Sequence, residues 1–169
     1  VRLVSFFHDI GKGRTEDHHI VGEKLFKSML KSFYFDEEII KIGARLVRYH
    51  NMMSYIATRE DIYSEKTILN FTGLIKTKES LKMLYVITYA DISAVGENIF
   101  NSSTSSLLRQ LYTQSLPAFE NEDLLKESTR RIAKQNTIKN LERYKKLPIM
   151  LQKKIMYIAS NQIFLRLKA

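Results

Sequence analysis

The sequence predicts an all-α fold, a helical bundle with additional C-terminal helices. Three observations carry that prediction. Apolar residues recur at three- and four-residue steps along most of the chain. No stretch alternates polar and apolar residues over more than a few positions. The 169 residues include only six glycines and two prolines, too few for a turn-rich β fold. That length suits one compact domain with a substantial core.

Taken in order, Val-Arg-Leu-Val-Ser-Phe-Phe (1–7) reads as the buried end of a helix, broken by Gly11 and Gly13. Val21, Leu25, Met29 and Phe33 recur every four residues and predict a helix over 19–33. Asp36, followed by Glu37 and Glu38, marks the next N-terminus, because acidic groups favour the positive end of a helix. That helix is expected to run to about Met53, with Ile39, Ile42, Gly43, Leu46, His50 and Met53 on one face. The polar stretch 54–66 reads as a loop and 67–74 as a short helix. Lys78–Val95 reads as a strong helix, apolar almost all round in its second half and therefore central and buried. A polar loop is expected over 98–106, then helices over about 105–115, 122–146 and 149–167, with breaks at Pro117 and Pro148.

Charge and composition narrow the function classes. Residues 1–120 carry 15 Lys/Arg against 14 Asp/Glu, whereas 121–169 carry 12 against 4. Nearly all of the net +9 therefore lies in the C-terminal segment, away from the histidines. A nucleic-acid groove would instead surround the site with basic and aromatic residues, so the tail reads as a solvated helix face and no nucleic-acid partner is expected. No apolar run approaches the roughly 20 residues needed to cross a bilayer, and no signal peptide is recognisable, which together predict a cytoplasmic protein without a membrane partner. With no cysteine, any metal has to be held by His, Asp or Glu.

All four histidines, His8, His18, His19 and His50, fall within the first 50 residues. His8 and Asp9 follow an apolar run, at a helix end where both can turn towards one ion. Asp91 lies within Tyr-Val-Ile-Thr-Tyr-Ala-Asp-Ile-Ser-Ala-Val, where a buried carboxylate needs a cation or strong donors. His50 sits on the apolar stripe of its helix. Singly, each has an ordinary explanation: a core histidine bonded to a carbonyl, or an aspartate paired with Arg or Lys. A His and an Asp on inward faces of two helices, with His-Asp on a third, is how bundles build metal sites. His19 is the weakest candidate, since a neighbour of His18 is expected to face elsewhere.

His8-Asp9-Ile10-Gly11-Lys12 resembles the hallmark of the HD superfamily of metal-dependent phosphohydrolases. More specifically, residues 8–22 (HDIGKGRTEDHHIVG), 46–61, 81–96 and 107–112 are similar, in collinear order, to the HD domain of the bifunctional PII uridylyltransferase/uridylyl-removing family. The resemblance implies an HD domain over 1–120, cut at its N-terminus, with C-terminal helices over 121–169 packed on it and leading to regulatory domains outside the sequence. It implies hydrolysis of the phosphodiester joining UMP to a tyrosine of the PII signal protein, within an enzyme that regulates nitrogen metabolism. Nucleotidyltransferase and ACT domains of the parent chain are the implied neighbours.

By the same resemblance, His8, Asp9 and Asp91 match the superfamily's metal ligands, and His18 and His50 the extra histidines of two-metal members. Asp9 and Lys12 take the catalytic roles, Asp9 bridging; Lys12 and Arg14 are the substrate-binding candidates, though a surface charge explains Lys12 as well. The implied cofactor is one or two divalent ions, magnesium or manganese, with iron a further candidate. The superfamily's first histidine has no counterpart before His8, Tyr49 stands in place of another histidine, and Phe100 in place of a tryptophan. Val1 within a buried helix implies a piece of a longer protein, and a piece short of one ligand is expected to bind metal weakly or not at all and to be inactive alone. Two other readings are a hydrolase of free nucleotides and a non-catalytic scaffold relaying effector signals.

Overall fold

A computed structural model describes residues 1–96, 100–120 and 137–158. Its elements are α1 (Arg2–Phe7), α2 (His18–Ser32), α3 (Glu37–Tyr49), α4 (Met52–Arg59), α5 (Glu65–Ile75), α6 (Lys78–Val95), α7 (Ser102–Ser115), a 3-10 turn (Leu116–Phe119), α8 (Glu142–Lys145) and α9 (Ile149–Ile158). Among the described residues there is no strand, so the all-α reading stands.

Local chemistry sets the helix starts. Asp17 and Asp36 each accept the backbone N–H two residues on, from His19 at 2.9 Å and Glu38 at 2.7 Å, satisfying donors the first turn leaves open. Thr77 and Asn101 cap α6 and α7 in the same way, accepting from Ser80 and Thr104. The α2 terminus closes differently: Phe35 N–H reaches the Leu30 carbonyl at 3.1 Å and Tyr34 N–H that of Lys31 at 3.1 Å. Tyr34 takes φ +58°, a left-handed conformation usually left to glycine.

The helices α2 and α3 form an antiparallel pair. Gly43 makes room for the Phe26 ring, which a Cβ there would meet. The core continues through Leu46, Met53, Phe71, Leu81, Leu84, Leu108 and Leu111, which joins α3 through α7 in one cluster. Each such side chain contributes about 1.5–3 kcal/mol on burial.

The inward stripes differ from those expected. In α2, Phe26 and Leu30 point inward while Phe33, past the last turn, is exposed. In α3, Gly43 and Leu46 are buried as expected, but at the start of the helix Ile40 is buried and Ile39 exposed, with Ala44 and Val47 widening the stripe on that side. The expected helix to Met53 stops at Tyr49, turns at His50–Asn51 and restarts as α4, so half of the supposed loop 54–66 is helical. Met53, Ile56 and Ala57 carry α4, too few apolar positions to stand out from polar neighbours. Helix α7 likewise begins at Ser102, within the expected loop. In α6 the buried residues are Ser80, Leu81, Leu84, Ile87 and Thr88, and the apolar second half is the exposed end, with Val95 open to solvent. Of the helix expected over 122–146, residues 137–140 and α8 are helical, interrupted at Leu141; its earlier part, and the end of the one expected to 167, lie outside the described residues. Pro117 opens the 3-10 turn and Pro148 precedes α9.

Candidate metal centre

Helix α1 ends at His8, and Asp9–Gly11 turn back, with Ile10 N–H donating to Phe7 O at 3.1 Å and Lys12 N–H to Asp9 O at 2.9 Å. This turn presses on the start of α2. A Cβ on Gly11 would collide with the His18 carbonyl, so only glycine lets the two backbones meet here. The His-Asp turn and His18 are thereby brought side by side.

His50 arrives from the end of α3 and is 2% exposed. Asp91 comes from α6. One turn earlier on that helix, the Thr88 hydroxyl donates to the His50 carbonyl at 3.1 Å, tying α6 to the end of α3. His8 Nε2 lies 3.3 Å from Asp9 Oδ2 and 3.4 Å from Asp91 Oδ1, and His50 Nε2 lies 3.5 Å from Asp9 Oδ1. The rings of His8 and His50 are 5.1 Å apart, and those of His18 and His50 6.0 Å. All five expected ligands thus converge. Asp91 is not buried, however: its side chain is 30% exposed, because α6 runs towards the surface there.

Hydrogen bonds define which atoms remain open. His8 Nδ1–H donates to Ser5 O at 2.7 Å and His50 Nδ1–H to Val47 O at 2.7 Å. Each Nε2 therefore carries the lone pair. Four buried side-chain atoms have no hydrogen-bond partner among the described residues: His8 Nε2, Asp9 Oδ1, His18 Nε2 and His50 Nε2. An unpaired buried polar atom costs about 1–3 kcal/mol, so four together call for a bound partner. Imidazole nitrogens and a carboxylate oxygen are the donor set of a cation.

Electrostatics agree. Burial holds the His50 imidazole below its ordinary value, with His19 and His8 adding to the effect against the Val47 carbonyl and Asp9. Burial opposes ionisation of Asp9, but the Lys12 hydrogen bond, with the fields of His8, Lys12 and His50 (the imidazoles when protonated), outweighs it and holds the carboxyl below its usual range. Lys12 Nζ sits 2.5 Å from Asp9 Oδ2, and that bond raises the ammonium's pKa. Lys12 is thus ion-paired to Asp9, although its side chain is 62% exposed. Arg14 is exposed on the loop beyond.

His19, the weakest candidate from sequence, lies beside the others. His18, His19 and His50 form a group able to hold a metal ion, with ligand atoms within 4.8 Å of one another. Yet His19 Nδ1 already faces Asp17 Oδ1 at 3.0 Å, and its Nε2 takes the Asn51 amide at 3.2 Å. Having two partners, it is the least open of the three, and its ring stacks on His18 at 3.8 Å. Sequence reasoning missed Asp17 and Asn51; their cue was position, one before α2 and one after His50. Two clefts flank His19. A polar one of about 520 Å³ is bounded by the Lys12–Asp17 loop, and one of about 310 Å³ by Ile20, Tyr49, Asn51, Met52 and Tyr55.

A family model for the HD domain matches residues 1–93. The chain is 43% identical over 113 residues to a bifunctional uridylyltransferase/uridylyl-removing enzyme of Rhodospirillum rubrum, covering 67% of this chain and 12% of that protein. It is 40% identical over 108 residues to the protein of the same name from Azospirillum brasilense, covering 64% of this chain and 12% of that one. A third relative of that name, from Zymomonas mobilis, is 40% identical over 110 residues, 65% of this chain and 12% of its own. The chain therefore spans about an eighth of the length of these curated relatives. No solved structure matches it.

Proposed function

The chain belongs to the HD domain family, a phosphohydrolase type of domain, and on that premise we propose that it is the uridylyl-removing unit of a larger enzyme. In this reading it hydrolyses the phosphodiester between UMP and a tyrosine of a PII-type signal protein. The relatives' shared name supports the activity, and the resemblance to the uridylyl-removing family supports the substrate. Residues 1–120 form the catalytic unit, with a nucleotidyltransferase domain on its N-terminal side, and 121–169 lead to regulatory ACT domains. The setting is the cytoplasm; among the described residues no helix is long and apolar enough to cross a membrane.

One observation carries the chemical side: the four buried, unpartnered atoms of His8, Asp9, His18 and His50, with Asp91 beside them. These five residues would hold one or two divalent ions, magnesium or manganese being suited to a site with carboxylates. Such an ion supplies charge neutralisation at the phosphate and lowers the pKa of a bound water. The chain's own groups do the positioning. Asp9 is kept ionised and aimed by Lys12, facing His8 with one oxygen and His50 with the other. The Ser5 and Val47 carbonyls hold the His8 and His50 rings in the tautomer that presents Nε2. Lys12 and Arg14 give the polar cleft a positive edge for the phosphate.

The test is release of UMP from uridylylated PII protein by the full-length protein with manganese or magnesium. Activity that disappears on chelation and in Asp9→Ala supports the reading. Undiminished release by Asp9→Ala refutes it, and faster turnover of free nucleotides than of the protein ester would move the substrate to that class.

A further inference from the structure

We propose that the cleft behind His19 is the pocket for the uracil base of the substrate, with Asn51 reading the base edge and Tyr49 and Tyr55 supplying its aromatic walls; this rests on the nucleotidyl-ester reading above. The cleft lies one ring away from the unpartnered atoms. His19 lines it, stacks on His18 at 3.8 Å and stands 5.0 Å from the His50 ring. A phosphate at the centre therefore has its organic substituent directed either here or into the polar cleft on the other side of His19.

The chemistry of the walls distinguishes the two ends of the ester. Ile20, Met52 and the two tyrosines make an apolar, aromatic slot of about 310 Å³, ample for a pyrimidine. A guanidinium lies over each tyrosine ring, Arg48 over Tyr49 at 5.9 Å and Arg59 over Tyr55 at 5.7 Å, and Arg48, like Asp17, also lines the cleft. Arg48 is itself held by Glu23 at 2.8 Å. Stacked on such a platform, any base gains affinity irrespective of sequence.

Asn51 adds selectivity. Its Nδ2 donates to His19, which fixes the amide plane, and among the described residues its Oδ1 accepts no hydrogen bond. The amide thus keeps one N–H and one acceptor for a ligand. The imide edge of uracil offers the complementary pair, a carbonyl beside an N–H. The tyrosyl end of the ester offers no such edge, because its only oxygen is tied up in the phosphodiester. It would leave Asn51 facing a bare ring, so the base is the better occupant.

Binding of UMP, CMP and ribose 5-phosphate to the manganese-loaded full-length protein, by calorimetry, tests this. Ribose 5-phosphate keeps the phosphate and sugar but lacks a base; CMP keeps the ring but presents an amino group for a carbonyl. UMP is expected to bind about tenfold tighter than ribose 5-phosphate, with CMP between them. Tyr55→Ala, at a half-exposed position that tolerates truncation, should remove most of the advantage of both bases. Asn51→Ala should abolish the preference for UMP over CMP without changing ribose 5-phosphate affinity. Equal binding of all three, or variants that weaken all three equally, would overturn the pocket while leaving the centre as a phosphate site. If none of the three binds the loaded protein, the pocket and the nucleotidyl-ester reading fall together.

Discussion

At the scale of single residues, the centre is built from side chains whose second polar atom is already committed. His8 and His50 each bind a backbone carbonyl three residues earlier, and Asp9 binds Lys12. Asp9→Asn is therefore expected to leave the fold intact but to lower uridylyl release by about 10³-fold or more, in the range seen for loss of a central catalytic group. Circular dichroism alongside the assay separates this from unfolding. Lys12→Met should cost less, about ten- to a hundredfold, since it loosens Asp9 without removing it. The ligand types were legible in the sequence because His-Asp ends an apolar run and Asp91 interrupts one. What could not be read was the state of each neighbour. His18 and His19 are adjacent and alike in sequence; what tells them apart is that the second bonds Asp17 and Asn51, whereas among the described residues the Nε2 of the first has no hydrogen-bond partner.

Among the helices, phase and termini decided where expectation and structure parted. Capping by Asp36 was readable, and Gly43 and Leu46 face inward as expected, yet Ile40 rather than Ile39 enters the core. An apolar pair fits either phase, and only contact with α2 selects one. The Tyr34 turn offers a direct check. Its side chain is 96% exposed and its φ is +58°, so Tyr34→Gly loses little packing and relieves the left-handed strain. A gain of about 0.5–1 kcal/mol in chemical denaturation is expected, net of the extra freedom glycine has when unfolded. Gly11→Ala should act oppositely, costing about 2 kcal/mol or more and misplacing His18. Glu23 accepts from Lys27 within α2 at 2.6 Å and from Arg48 across to α3 at 2.8 Å. Burial would raise its pKa, but these two cations outweigh it and lower it from the ordinary 4.5. The stability this confers is complete above that value and is lost as pH falls through the lower folded one. Glu23→Gln should cost about 1 kcal/mol near neutrality and flatten the acid limb of a stability–pH curve.

Across the whole molecule, the centre lies at the meeting of α1, α2, α3 and α6. The basic C-terminal segment stands apart from it in charge as in sequence. Within that segment Tyr144 is buried and donates to the Gln152 carbonyl, linking α8 to α9, while Ile149 and Met150 remain exposed. His8 and Asp91 are far apart along the chain yet stand 3.4 Å from each other. An ion shared between them would be a removable staple, joining the first turn of the domain to its sixth helix. A cross-link that closes a loop on the order of a hundred residues takes about 4–5 kcal/mol of freedom from the unfolded chain. Manganese should therefore raise the melting temperature well beyond what surface binding gives, and Asp91→Ala should remove most of that rise. Seen this way, the same atoms that would work on a substrate would make the domain's cohesion follow the supply of metal around it.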